Sequence, residues 1–153
     1  MAVSGKVWTI GYEKVGQGDF VAALKDAKIK TLIDVREVAN SRRAGFSKKS
    51  LAAALDEAGI AYIHMKPLGT PKAGREAARK GDSKTMHRIF EAKMVEPESQ
   101  LALHEAAELA KKSRVCLMCL EHDWRECHRT IVAQHLEDEF GVTPTHLSPE
   151  PRL

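Results

Sequence analysis

The side chains best suited to chemistry stand where short apolar stretches of the sequence end. Asp34 follows one such stretch, His64 ends a second and Cys119 ends a third. Polar groups at the rim of a core are costly unless they have partners or a task, so several at one rim favour a functional cluster. We interpret six residues as candidate catalytic groups, acting as nucleophile, proton carrier or orienting carboxylate. They are Asp34, His64, Cys119, Glu121, Cys127 and His128.

Cations in the same segments predict an anionic ligand. The planar guanidinium group suits phosphate and carboxylate, and Arg129 would lie in the first turn of a helix, where free N–H groups and the helix dipole attract anions. The candidate anion-binding or substrate-binding residues are Gly11, Tyr12, Arg36, Ser41, Arg42, Arg43, Phe46, Lys66 and Arg129. Structural ion pairs remain an alternative, since Asp34 and Arg36 would share one face of a strand, and Glu121 or Asp123 would be a partner for Arg129.

The cysteine pattern favours neither a disulfide framework nor a metal site. Three cysteines are an odd number, and Cys116 and Cys119, three apart on a strand, would point to opposite faces. Cys116 is therefore predicted to be a core residue. A zinc site would need the irregular spacing of Cys119, His122, Cys127 and His128. The phosphatase-like spacing from Cys119 to Arg125 lacks glycine and contains two acids. We expect no metal and no other cofactor.

Alternating strands and helices must position these groups. The pattern predicts strands over 7–12, 31–36, 60–65 and 114–121, with a further strand at 144–147 left open, and helices over about 20–28, 48–58, 83–94, 98–112 and 126–140. Such alternation predicts a three-layer α/β fold, with helices on both faces of a mostly parallel sheet of four or five strands. Ligands bind beyond the carboxyl ends of the strands in such sheets.

Length and charge narrow the class of protein. With 153 residues and 43% hydrophobic content, the chain fits a single α/β domain. No stretch approaches the ~20 apolar residues of a membrane span, and the first residues lack the apolar core of a secretion signal, so we expect a cytoplasmic protein without membrane association. Residues 1–93 carry 18 Lys/Arg against 10 Asp/Glu, and a polar, basic excursion at about 66–97 adds to this imbalance. Such a surface attracts phosphates or nucleic acid, or is simply a solvated basic face.

Short motifs along the chain resemble the family called domain of unknown function 488, whose members are uncharacterised bacterial and archaeal proteins. The matching segments are Thr9–Tyr12, Leu32–Arg36, Ser41–Arg42, Gly45–Phe46, Tyr62–His64, Leu68–Gly69, Leu117–Glu121 and Cys127–Arg129. They extend from residue 9 to about 133. One departure is Val38-Ala39-Asn40, where the family commonly has proline. The resemblance implies a small α/β domain and implies no activity.

Two functions remain open at this point. In the first, the chain is an enzyme or a binding protein for a phosphorylated or nucleic-acid ligand held at the strand ends. In the second, it is a non-enzymatic interaction module whose polar cluster is a structural ion-pair network, and whose basic excursion binds a protein or nucleic acid. An open pocket would favour the first function, and a closed network the second.

Overall fold

The computed structural model describes residues 5–41, 43–119 and 128–148. Five strands are present: β1 (Lys6–Gly11), β2 (Thr31–Asp34), β3 (Ala61–His64), β4 (Val115–Cys119) and β5 (Thr143–His146). Six helices accompany them: α1 (Gln17–Asp26), α2 (Lys48–Glu57), α3 (Lys72–Arg79), α4 (Ser83–Met94), α5 (Pro97–Lys112) and α6 (His128–Phe140). One turn of 3₁₀ helix, Lys66–Leu68, follows β3. The final strand left open by the sequence is β5.

All five strands are parallel, in the order β3-β2-β4-β1-β5. Every residue of β4 is buried, as expected for a strand whose two faces are both covered by helices. The prediction of a three-layer α/β fold is confirmed.

Two hydrophobic cores occupy the two faces of the sheet. Phe20 of α1 and Leu51 of α2 pack with Ile10 and Cys116 on one face. On the other face, side chains of α4, α5 and α6 pack with the alternate strand residues, which include Ile33 and Leu117. The prediction that Cys116 is a core residue is confirmed, since its side chain is fully buried.

The connections open a crevice at the carboxyl ends of the strands. The chain leaves β1 and β2 towards the face covered by α1 and α2, whereas it leaves β3 and β4 towards the face covered by α3 to α6. Because β4 lies between β2 and β1, neighbouring strands send their connections to opposite faces. Such a reversal is where ligands bind in open parallel sheets.

The basic excursion is largely helical. It contains the 3₁₀ turn, α3 and α4, and the bounds of α4 agree with the predicted helix at 83–94. Among the described residues, no helix is both long enough and apolar enough to cross a membrane.

Candidate functional site

Strand register brings the predicted groups to one edge of the sheet. Gly11 is paired with Cys119 across β1 and β4, and Asp34 is paired with His64 on one side and Met118 on the other. Three of the six candidate catalytic residues thus end adjacent parallel strands. Asp34, His64 and Cys119 therefore lie together at one edge of the sheet, as the sequence predicted.

Behind this edge lies a network, which we call the buried network and which consists of Asp34, Arg36, Tyr12, Phe46 and Tyr62. Asp34 is fully buried, and the side chain of Arg36 is 8% exposed. The Nε group of Arg36 donates to Oδ1 of Asp34 at 2.9 Å, and its Nη2 group donates to Oδ2 at 2.6 Å. The hydroxyl of Tyr62 also donates to Asp34. The fork of the guanidinium group meets the carboxylate in a two-point contact.

The opposite side of the Arg36 guanidinium group is also occupied. Its Nη1 group donates to the backbone carbonyl of Phe46 at 2.8 Å and to the hydroxyl of Tyr12 at 3.3 Å. The rings of Tyr12 and Phe46 are stacked, with centroids 4.5 Å apart. The protein therefore uses most of the five N–H groups of Arg36, and this arginine mainly holds the strand-end loops together.

The charges of the buried network stabilise one another. Burial alone would lower the pKa of Arg36, but the hydrogen bond and the charge of Asp34 outweigh it and raise the pKa. Burial raises the pKa of Tyr62, and its bond to Asp34 raises it further. Arg36 therefore stays protonated, and Tyr62 keeps its hydroxyl proton. The structural ion pair that the sequence left open is present.

Two candidate catalytic histidines hold consecutive carbonyl groups of the loop after β2. Nε2 of His64 lies 2.6 Å from the carbonyl oxygen of Arg36, and Nε2 of His128 lies 2.8 Å from that of Val35. A carbonyl oxygen can only accept, so each Nε2 donates its N–H to the backbone. Burial, assisted by the charge of Arg129 and opposed by the Val35 bond, lowers the pKa of His128 to about 4. His128 is therefore neutral at physiological pH.

An open cavity of about 450 Å³ lies above the buried network, and we call it the strand-end pocket. Its described lining consists of Tyr12, Arg36, Glu37, Val38, Asn40, Thr70, Arg75, Ala78, Arg79, Met86, Cys119 and His128. Four of these were predicted site residues: Tyr12, Arg36, Cys119 and His128. The sequence analysis treated an open pocket and a closed ion-pair network as alternatives. Both are present, and the pocket lies above the network.

Helix α3 forms the outer wall of the pocket, which sequence reasoning missed. Nη1 of Arg75 donates to Oε1 of Glu37 at 2.8 Å and to the carbonyl of Thr70 at 2.9 Å. Arg79 follows one turn later and is exposed, with no ion pair to any described residue. The available signal was the i, i+4 spacing of Arg75 and Arg79, which places both on one helix face.

Gly69 brings the loops after β2 and β3 together. A Cβ atom at this position would lie 2.2 Å from the backbone nitrogen of Glu37 and 2.4 Å from its Cα. Any side chain would therefore push the two loops apart, which gives a physical reason for glycine at this position of the Leu68-Gly69 motif. The contact fixes Glu37 opposite Arg75.

Several predicted binding residues lie outside the strand-end pocket. Arg43 is exposed and donates through Nε to the carbonyl of Val15, and its own N–H is bonded to Oγ of Ser41. Lys66 is exposed and its charge acts on Glu98 of α5. Arg129 is fully buried, and its Nη1 lies 3.9 Å from the sulfur of Cys119. Ligand contacts by these side chains stay predictions, as do those of Gly11 and Phe46, which are buried within the fold.

The remaining predicted residues, Arg42, Glu121 and Cys127, lie outside the described residues, as do His122, Asp123 and Arg125 of the alternatives weighed above. Within the described ranges, no three His, Cys, Asp or Glu side chains form a group that could hold a metal ion.

The cysteines differ from expectation at one position. Cys116 is free, and burial raises the pKa of its thiol. Cys119, in contrast, is disulfide-bonded, whereas the odd number of cysteines had argued against a disulfide framework. A thiolate is the nucleophilic form of cysteine, so Cys119 could act as a nucleophile only after reduction. An odd count excludes pairing of all three cysteines but leaves room for one pair.

These features define a parallel α/β protein with a strand-end pocket built over a buried ion pair. The model of the family described as Domain of unknown function DUF488 matches residues 17–136, most of the chain, and the protein belongs to this family. No curated protein and no solved structure matches the chain.

Proposed function

We propose that the strand-end pocket binds a small phosphorylated ligand, with the phosphate held by Arg75 and Arg79. One observation carries this proposal: the described lining contains three guanidinium groups and one carboxylate, that of Glu37. Arginine presents several N–H donors in a plane, an arrangement that matches phosphate oxygens.

The charges within the pocket favour an anion at its outer wall. Asp34 neutralises Arg36 beneath the floor, and Glu37 is paired with Arg75, whose side chain is 36% exposed. With His128 neutral, the charge of Arg79 is left in excess. A bound phosphate would therefore contact Arg79 and share or replace Glu37 at Arg75.

The size and the apolar part of the lining support an organic ligand rather than a bare ion. A cavity of about 450 Å³ falls within the usual range for small-molecule sites. Val38, Ala78 and Met86 provide apolar surface beside the arginines. A nucleotide, which combines a flat apolar base with phosphate, has matching chemistry.

His128 gives the pocket a proton acceptor. Its Nε2 is committed to the carbonyl of Val35, and a neutral imidazole then accepts at Nδ1. If the ligand is chemically converted, His128 would accept hydrogen bonds from it and would be a weak base, because its pKa lies well below neutral pH. Its low pKa keeps it in the accepting form at neutral pH.

The test is a thermal-shift and calorimetry screen with inorganic phosphate, sulfate, and mono-, di- and triphosphate nucleotides. A ligand at 100 times its Kd should stabilise the fold by about 2.7 kcal/mol, a shift of several degrees. We expect Arg79→Gln to abolish the shift. The matched control is Arg88→Gln, which removes the same charge from an exposed position of α4 that does not line the pocket. Equal responses of the two variants, or no shift with any phosphate, would contradict the proposal.

A non-enzymatic interaction module is the second candidate function, and the closed hydrogen bonding of the buried network favours it. In that case, the strand-end residues serve only to fix the loops. No anion would then stabilise the fold, although Asp34 and Arg36 would still be needed for stability.

A further inference from the structure

One helical hairpin carries a clear excess of positive charge. Residues 72–88, which we call the basic hairpin, comprise α3, the following turn and the first half of α4. They contain six Lys/Arg against two Asp/Glu, whereas the rest of the chain contains 18 against 19. Without the hairpin, the formal net charge of the chain would be −1 rather than +3.

Close packing of the two helices leaves their cations on the outside. A Cβ atom at Gly74 of α3 would lie 2.6 Å from Cγ2 of Thr70 and 3.4 Å from Cγ2 of Ile89 in α4. Ala77 and Met86 face the interior. Five of the six hairpin cations are exposed to solvent, and Arg75 is partly buried. The exposed cations are Lys72, Arg79, Lys80, Lys84 and Arg88.

The two hairpin acids offset only part of the charge of its six cations, one of which, Arg88, acts on the carboxylate of Asp82. Asp82 accepts hydrogen bonds from the backbone N–H and the hydroxyl of Thr85 and so caps α4. Glu76 lies on α3 with Lys72 and Lys80 one turn away on either side. Lys84 and Arg88 are one turn apart on α4, so their side chains lie along one face.

From this surface we infer that the basic hairpin binds the phosphate backbone of a polynucleotide. The inference rests on the proposed function and deepens it, because Arg79 belongs both to the hairpin and to the strand-end pocket. A nucleic acid along Lys80, Lys84 and Arg88 continues into the pocket at Arg79. The phosphorylated ligand of the pocket is then a nucleotide or terminal phosphate of that polymer.

The composition of the hairpin surface favours nucleic acid over a membrane or a protein. The exposed large hydrophobic residues of the described chain are Val38, Val95 and Leu101, and none belongs to the hairpin. A membrane-surface segment needs such side chains for insertion, and protein interfaces concentrate their energy in apolar or aromatic anchors. The hairpin contains no Phe, Trp or Tyr, so contact with the backbone, rather than stacking on bases, is expected.

The experiment measures fluorescence anisotropy of labelled 20-mer single-stranded DNA, duplex DNA and duplex RNA as salt rises from 50 to 200 mM. The test variant is Lys84→Gln/Arg88→Gln. Its matched control is Lys111→Gln/Lys112→Gln, which removes two exposed charges from the end of α5 that leads into β4, on the opposite edge of the sheet. Four phosphate contacts would weaken binding roughly 50- to 150-fold over this salt range.

The test variant should bind at least about tenfold more weakly at 50 mM salt, with a slope in log K against log salt reduced by about 1.4 to 1.8. The control should stay within about twofold of the unaltered protein. No binding to any polynucleotide at 50 mM salt, or equal losses in both variants, would overturn the inference. Equally tight binding to vesicles of phosphatidylserine and phosphatidylcholine would also overturn it.

The two proposals fail differently. Lys84→Gln/Arg88→Gln alters no residue that lines the pocket, so its thermal shift with inorganic phosphate or a mononucleotide should be unchanged. If that shift persists while polynucleotides do not bind, the hairpin inference is wrong and the proposed function stands. If polynucleotides bind to the hairpin but no small phosphate gives a shift, the proposed function is wrong.

Discussion

Arg36 and Arg79 line the same pocket, yet their surroundings assign them different tasks. Arg36 belongs to the buried network, where Asp34, Tyr12 and Phe46 occupy most of its donors. Arg79 lies on α3, exposed to solvent. The comparison teaches that an arginine beside a predicted site is available to a ligand only if the protein has not already used its N–H groups. The donors of the inner region are therefore used within the protein, whereas the outer wall presents an exposed arginine to the phosphate that we propose as ligand.

Asp34→Asn is the variant with the largest expected effect on this comparison. Removing one member of a buried ion pair leaves an uncompensated charge, and we expect a loss of about 3–5 kcal/mol in the free energy of unfolding. Urea denaturation measures this change. The matched control is Glu37→Gln, which alters the carboxylate of the half-exposed pair with Arg75 in the same way. Equal losses of unfolding free energy in the two variants would show that the buried network and the outer wall of the pocket contribute alike to stability.

A double variant sharpens the result. Asp34→Leu combined with Arg36→Met removes both buried charges together, and apolar replacement of a whole pair is often tolerated. We expect it to be less destabilised than Asp34→Asn alone. A larger loss of unfolding free energy than in Asp34→Asn would show that the hydrogen bonds from Arg36 to Tyr12 and Phe46, not the charge pair, stabilise the buried network.

His128 connects the two regions and predicts a pH dependence. Its pKa is about 4 in the folded state against an ordinary 6.5, so the unfolded chain takes up the proton first as pH falls. The contribution of neutral His128 to the free energy of unfolding is complete above pH 6.5. It is lost as the pH falls from 6.5 to 4, by up to about 3 kcal/mol. Unfolding measured across this range should show a steeper fall for the unaltered protein than for His128→Gln. Parallel curves would contradict the assignment.

Tyr62→Phe tests the outer edge of the buried network. The hydroxyl donates to Asp34, and a hydrogen bond to a charged group contributes about 1.5–3 kcal/mol. We expect a loss near the lower end, because the side chain is only partly buried. Thermal unfolding monitors this loss, and an unchanged Tm would show that Arg36 alone satisfies Asp34.

Glu37→Gln should have the smallest effect on stability and an opposite effect on binding. A pair with side chains 36% and 21% exposed contributes about 0–1 kcal/mol. Removing its carboxylate leaves Arg75 free to bind phosphate, so the affinity for a small phosphorylated ligand should rise. Calorimetry with inorganic phosphate tests this, with Glu76→Gln as a control outside the pocket. Weaker binding would contradict the wall's proposed role.

The sequence was sufficient for the fold because its signals are local. Apolar stretches bounded by glycine and capping residues predicted the strands and most helices, and parallel strands necessarily bring Asp34, His64 and Cys119 to one edge. The pairing of Asp34 with Arg36 also follows from spacing, since residues two apart on a strand share a face.

The pocket wall could not be predicted in the same way because it depends on tertiary packing. Arg75 faces Glu37 only because α3 folds back over the sheet edge and Gly69 allows the loops to approach. The tasks of His64 and His128 were equally hidden: a histidine that donates to a backbone carbonyl has the same sequence signature as one that moves a proton.

The position of β4 has a consequence for the order of assembly. It is the fourth strand to be synthesised, yet it lies between β2 and β1 and pairs with both. While a nascent chain emerges, β2 and β3 can pair early, but β1 has no neighbour until residues 115–119 arrive. Pairings over such sequence distances make folding slow. The strand-end pocket, which is lined by residues at the ends of β1 and β4, is therefore among the last parts of the molecule to form.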